Sequence, residues 1–188
     1  MGERRLARLN EDFDLRVERR FLEIHPQTPA GGRPVSELGY SPEQWARMSG
    51  NIQRMGKAEG IDFSDRSFTT NSHKALLLAE AAKEEGPEIF DALNEGLFRA
   101  YFTGGRNIGD PQVLRDVAHA AGLPDDRIAQ AWSDAAYEER LADDNAAAAG
   151  LGITAIPTFI VDGRWIIEGA VPVEMLREAA KKCLEGKP

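Results

Sequence analysis

Gly152-Ile153-Thr154-Ala155-Ile156-Pro157-Thr158-Phe159-Ile160-Val161-Asp162-Gly163-Arg164-Trp165-Ile166-Ile167-Glu168 is the stretch that decides the fold. Thr158 to Val161 is a short apolar run, and Asp162-Gly163 is a two-residue hairpin signal. Arg164 to Glu168 then reads as the partner strand. Gly169 breaks that strand, and Pro172 opens a last helix that runs to about Leu184. Upstream, a helical stretch stops at Gly150. Pro157 therefore stands at the entry of a hairpin framed by helices. Taken on the residues alone, it is either a trans proline at a strand start or half of a cis bond that turns the chain sharply.

Outward from the hairpin, the hydrophobic period changes twice. Residues 3 to 11 are charged and leucine-spaced and read as a helix, with Leu6 and Leu9 on its buried side. Leu15 and Val17, then Leu22 and Ile24, alternate with charges, which predicts a strand over 15–24. Pro26, Pro29, Gly31, Gly32 and Pro34 make the next stretch a loop. Ser41-Pro42-Glu43 caps a helix to about Glu59, ended by Gly60. Helices follow from Asn71 or Ser72 to about Glu85, from Glu88 to Phe102, from Asp110-Pro111 to Gly122, from Pro124 to about Tyr137, and from Glu139 to Ala149. Leu93, Leu97, Ala100 and Tyr101 share one stripe of the second of these. The order is helix, strand, helical block, hairpin, helix.

Composition narrows the chemistry. The 188 residues are 42% apolar and 29% charged, a balance typical of globular domains. A net charge of -8 argues against a nucleic-acid partner held by phosphate contacts and against docking on an anionic membrane. No apolar run approaches the ~20 residues that span a bilayer. No signal peptide follows Met1, so the cytoplasm is the expected compartment. Cys183 is the one cysteine, so there is no Cys-X-X-Cys pair and no intramolecular disulfide. Beside Lys181 and Lys182 it reads as a half-buried packing residue rather than a reactive thiol. His25, His73 and His119 stand far apart without metal-ligand spacing, so no metal is expected. His73 reads as structural or solvated and His25 as a surface residue. Asp143-Asp144 reads as a solvated helix face. Trp45 and Trp132 read as packing within the helical block.

The segment Gly152–Gly163 resembles the cis-proline loop of the thioredoxin superfamily, and the resemblance extends over nearly the whole chain. GERRLARL (2–9) resembles the stretch just after the redox motif of DsbA-like, FrnE-type oxidoreductases. FLEIHPQTP (21–29) resembles their second strand and its exit. SPEQWARM (41–48) and AEGIDF (58–63) resemble the start of their helical insertion. LFRAYFTGGRNIGDPQVLRDVAHAAGL (97–123) is the most specific segment, and AAAAGLGITAIPTFIVDGRWIIEGAVP (146–172) closes the match. That family also includes 2-hydroxychromene-2-carboxylate isomerases and kappa-class glutathione transferases. Gly169-Ala170-Val171-Pro172 is closer to the oxidoreductase branch, because the other branch tends to carry an acidic residue at that turn.

The resemblance implies an α/β thioredoxin-like fold, residues 1–36 with 149–188, carrying an all-helical insertion at 37–148. It implies a cis Ile156–Pro157 bond and a substrate-binding loop of Ala155, Ile156, Pro157 and Thr158. There the residue before the proline offers its N–H and C=O to an extended peptide or to glutathione. The implied partners are protein or small-molecule thiols and disulfides, and a homo-oligomer is among the expected assemblies. Glutathione is the one cofactor the resemblance admits. The implied activity is thiol–disulfide oxidoreductase; the alternatives are a glutathione-dependent isomerase or transferase, and a redox-inactive binding protein. In the family a strand and a Cys-X-X-Cys, or a serine in its place, precede the first helix, and this sequence opens inside that helix. The expectation is therefore that the first strand and the redox motif are missing, with a natural start about twenty residues upstream of Met1. The absent strand would lie between 15–24 and the hairpin. Those flanking strands would then stand ~10 Å apart, twice the ~4.8 Å spacing of neighbours. Their unmet backbone groups would cost ~1–3 kcal/mol each. On that expectation the chain does not fold as a lone family-like monomer.

Overall fold

The computed structural model describes residues 1–186. In chain order its elements are helix α1 (Gly2–Asn10), strand β1 (Arg33–Pro34), a 3-10 turn (Val35–Glu37), α2 (Pro42–Ala58), β2 (Phe68–Thr69), α3 (His73–Glu84), α4 (Pro87–Phe98), a π turn (Arg99–Thr103), α5 (Pro111–Ala120), α6 (Asp125–Ala131), α7 (Ala135–Gly150), β3 (Thr158–Val161), β4 (Trp165–Glu168) and α8 (Val173–Leu184). Two compact units result. Among the described residues, one holds 1–22 together with 146–186, and the other is Glu23–Asn145.

In the second unit, local chemistry sets the helix ends. Ser41 and Gln44 form a reciprocal capping box, with Pro42 at the first helical position of α2. Helix α3 is buried on nearly every side: Ala75, Leu77, Leu78, Ala79, Ala81 and Ala82 are each at most 2% exposed. A helix apolar all round belongs in the middle of a bundle, and α3 packs on α4, α5 and α6. Its one buried acid, Glu80, is met by Lys83 one turn on at 2.7 Å. Glu84, at its end, accepts from Arg127, the Tyr137 hydroxyl and Arg140 at 2.7–2.9 Å.

A polar knot ties the loop before β1 to this bundle. Asn71 donates to the Thr28 carbonyl at 2.6 Å and Asn107 to the Ala30 carbonyl at 2.8 Å. Thr70 donates to Asn107 at 2.5 Å and accepts from the Gly109 N–H at 3.0 Å. A Cβ on Gly109 would stand 2.5 Å from the Ala30 carbonyl oxygen, so the backbone approach there requires glycine. The block between the two halves of the first unit is thus not wholly helical: β1 pairs antiparallel with β2, Arg33 opposite Thr69 and Pro34 opposite Phe68.

Four expected elements differ. The helix from Pro124 stops at Ala131, not near Tyr137, and α7 begins at Ala135, not at Glu139. Ser133 and Asp134 cause the break, because their side chains compete for the backbone: the Ser133 hydroxyl donates to the Ala129 carbonyl and Asp134 accepts from the Ala136 N–H. The helix expected to Phe102 changes to a π turn after Phe98, though Leu93, Leu97, Ala100 and Tyr101 are buried along one stripe as their spacing required. Residues 15–24 form no strand. Among the described residues no strand lies beside them, so their backbone has no ladder. Arg19 anchors the segment instead, with two contacts on the Glu3 carboxylate at 2.9 and 3.1 Å. Val17 and Ile24 are exposed, against the alternation read from the sequence.

In the first unit, α1 lies on α8. Leu9 of α1 and Val173, Leu176, Ala179 and Ala180 of α8 form its buried centre. Arg5, itself buried, donates to the Val171 carbonyl at 2.5 Å, and Arg177 of α8 meets Asp12 at 2.6 Å. The hairpin β3–β4 pairs Thr158 with Glu168 through Val161 with Trp165. Asp162 and Gly163 both have positive φ, at 53° and 65°, which is the type I′ turn that Asp-Gly favours.

Gly56 tests the packing of α2. A side chain there would collide with the Phe63 ring and come 2.9 Å from the Ile61 carbonyl oxygen. Phe63 is held edge-on against Phe102, with centroids 5.5 Å apart, so it has little room to yield. Alanine gains about 1 kcal/mol of helix propensity over glycine, whereas overpacking costs about 1–3 kcal/mol. We expect Gly56→Ala to lose up to about 2 kcal/mol in denaturant unfolding; a variant more stable than the parent would rule out the collision.

Candidate functional site

The four residues singled out by sequence come together on one loop. Helix α7 ends at Gly150, and Gly152, with φ of 69°, reverses the chain. The Ile153 and Gly152 N–H groups close that end on the Ala148 and Ala149 carbonyls at 2.9 and 3.0 Å. The chain then bends into β3 through a cis Ile156–Pro157 bond. Two hydrogen bonds hold the loop on either side of Ile156. The Thr158 hydroxyl donates to the Ala155 carbonyl at 2.7 Å, and the Gly169 N–H donates to the Pro157 carbonyl at 2.7 Å.

Between those ties the Ile156 peptide is open. Among the described residues neither its N–H nor its C=O has a hydrogen-bond partner, and the residue is 56% exposed. Open backbone of this kind, next to a hairpin, is what an extended peptide pairs with. The N-terminal turn of α1 abuts the same loop: a Cβ on Gly2 would lie 3.2 Å from Pro157 Cβ and 3.6 Å from the tip of Phe159. The loop is legible in the sequence but this neighbour is not, since the pairing of residues 2 and 157 is long-range and no local motif encodes it.

The remaining candidates lie elsewhere. Cys183 is half-buried in the last turn of α8. Burial pushes its thiol above the ordinary range, and the Asp162 carboxylate, to which it hydrogen-bonds, pushes it further than Arg164 pulls it back. His25 lines a surface cavity of about 310 Å³ with Gln27, Thr28, Arg33, Glu37 and Leu38 in the second unit. His73 lies in the same unit between Glu23 and Glu138. Trp132 donates to the Lys74 carbonyl at 3.2 Å and stacks under Arg115 and Lys74. Trp45 packs beside Arg66, which also covers Tyr101 and Phe102. Asp143 is exposed and Asp144 half-buried. Among the described residues no cluster of His, Cys, Asp and Glu could hold a metal ion, and no helix is long and apolar enough to cross a membrane.

The family model of the DSBA-like thioredoxin domain matches residues 1–181. A probable DsbA oxidoreductase of Streptomyces coelicolor superposes with a TM-score of 0.88 at 26% identity, covering 100% of this chain and 85% of that one. A 2-hydroxychromene-2-carboxylate isomerase superposes with a TM-score of 0.73 at 19% identity, over 98% of this chain and 89% of the other, which is a likeness of fold. No curated protein matched the chain. The fold is the thioredoxin fold with a helical insertion.

A protonated thiol is a poor nucleophile, so Cys183 should react with iodoacetamide at neutral pH more slowly than free glutathione does. Asp162→Asn removes the carboxylate that holds the proton and keeps a residue type that tolerates positive φ. It should speed that alkylation, measured by mass spectrometry; an unchanged or slower rate would contradict the assigned role of Asp162.

Proposed function

The chain belongs to the DSBA-like thioredoxin domain family, and from that premise we propose that its Ala155–Thr158 loop docks extended thiol- or disulfide-bearing chains for thiol–disulfide exchange. The observation that carries this is the open Ile156 peptide beside the first turn of α1. Thiol–disulfide exchange needs a thiolate, and a helix N-terminus lowers a thiol's pKa. It also needs the substrate's sulfur held next to that thiolate. A loop whose main chain pairs with an extended substrate does that, and here such a loop adjoins a helix start. The substrate class is a protein or small-molecule thiol or disulfide.

This polypeptide on its own does not turn over disulfides. Its single thiol, Cys183, is at the far end of another helix and is held protonated. Dithiol exchange through a mixed disulfide needs a second cysteine to resolve it. What the chain supplies is the docking half of the chemistry.

The test is a titration with an extended peptide bearing an S-methylated cysteine, followed by backbone amide resonances. Shifts centred on Ile156 and Thr158 are expected; shifts confined to other segments would reject the loop as the docking site. Truncating Ile156 to glycine removes a side chain that a docked peptide would cover. Covering the exposed 56% of that residue is worth about 0.8–1.7 kcal/mol, so affinity should fall roughly 4- to 18-fold. In an insulin-reduction assay the polypeptide should give no catalysed turnover; turnover that survives Cys183→Ser would overturn its assignment as a docking half alone. Glutathione binding at the loop in place of peptide would move the reading to the isomerase and transferase branch.

A further inference from the structure

His73 opens α3, and its ring is held between two carboxylates from different parts of the second unit. Nδ1 lies 3.1 Å from Glu23 Oε1 and Nε2 lies 3.0 Å from Glu138 Oε1. Glu23 is the first residue of that unit and Glu138 stands in the first turn of α7, whose Asn145 is the unit's last residue. Asn145 accepts the Glu23 N–H at 3.0 Å and donates to the Leu141 carbonyl at 2.7 Å. The His73 N–H is fixed in turn by the Asn71 side chain at 2.9 Å.

Hydrogen-bond arithmetic fixes the state of the ring. A neutral imidazole has one N–H and one lone pair. With a carboxylate oxygen about 3 Å from each nitrogen, the neutral ring would face a lone pair toward an anion. Only the imidazolium donates in both directions. The charged groups facing the ring are Glu23 from the entering chain and Glu138 from α7; on α3 itself, Lys74 lies over the Trp132 ring.

We propose that Glu23, His73 and Glu138 form a proton-dependent clasp that ties the residue where the chain enters the helical unit to the helix by which it leaves. Loss of the proton frees Glu138. The Glu138 side chain is 53% exposed and that of Glu23 12%. A buried carboxylate left facing a lone pair is the costlier of the two, so the remaining proton stays on Nδ1 for Glu23, and Glu138 turns to water. Burial of the ring opposes its charge, but the hydrogen bonds to Glu138 and Glu23 and their two negative charges outweigh it, which raises His73 above the ordinary histidine value. A raised value has a definite sign: the clasp is fully closed below the ordinary histidine range and opens as pH rises through the titration of His73 in the folded chain.

The experiment is a two-dimensional NMR titration of the full chain from mildly acid to mildly alkaline pH. The His73 ring should titrate above an ordinary histidine, and the amides of Glu23 and of the first turn of α7 should move along the same curve. Glu138→Gln, at an exposed position, should bring the ring's titration down toward the ordinary value without loss of cooperative melting. His73→Gln should abolish the shared titration of the two segments; if that variant does not fold, the wild-type and Glu138→Gln titrations still decide. A ring titrating at or below the ordinary value, amides that stay still while it titrates, or a Glu138→Gln chain with an unchanged ring titration would each overturn the clasp.

Discussion

The open peptide at Ile156 exists because its neighbours are tied down. Ala155 and Pro157 have their carbonyls occupied, one by the Thr158 hydroxyl and the other by the Gly169 N–H, both at 2.7 Å. The second of these bonds extends the β3–β4 ladder by one step beyond its last pair, Thr158 with Glu168. The hairpin therefore sets the position of the loop, and the type I′ turn at Asp162-Gly163 sets the register of the hairpin. A slip of one residue would turn Ile156 from solvent to the inner face, and with it would move Phe159, Val161, Trp165 and Ile167, whose side chains line the less exposed side.

The helical unit is organised by a different constraint, the pairing of buried polar groups. Its apolar centre, α3, packs without special features. The loop before β1 has little apolar area to hold it, so it is fixed by Asn71, Thr70 and Asn107, each donating to or accepting from backbone or side-chain groups within 3.3 Å. Such a network specifies one arrangement because every alternative leaves a buried group unmet. This gives the Asn107-Ile108-Gly109-Asp110 run a structural meaning: Asn107 bridges, Ile108 is buried, Gly109 permits the close approach to Ala30, and Asp110 caps α5 by accepting from the Gln112 N–H at 2.8 Å.

What was legible in the sequence was what local chemistry encodes. Capping residues and prolines located most helix starts, since their effect lies within one turn. Asp162-Gly163 located the hairpin for the same reason. The loop of Ala155 to Thr158 was legible because a proline, a strand and a turn follow each other without a gap. The residues at 15–24 misled because alternation reports which faces a segment could present, not whether a partner strand stands beside it; Val17 is 39% exposed despite its place in the pattern. The break at Ser133-Asp134 was missed because two side chains that accept and donate locally override a helical period that continues through them. Contacts such as Gly2 with Pro157, or His73 with Glu23 and Glu138, join residues 50 or more positions apart and leave no periodic trace.

Helix polarity separates the proposed docking loop from the chain's one cysteine. The first turn of α1, where free N–H groups favour negative charge, faces the loop that would present a substrate sulfur. Cys183 sits at the opposite kind of position, the last turn of α8, where free carbonyls disfavour a thiolate. Asp162 adds a second negative field to the same sulfur. Lys181 and Lys182 precede it in sequence, but Lys182 lies over the Trp165 ring at 5.2 Å and Lys181 reaches Glu178 at 3.4 Å, so neither is committed to the thiol. A cysteine so placed is a packing residue that contributes apolar contact and keeps its proton. A helix start that would stabilise a thiolate, that of α1, adjoins the open peptide at Ile156.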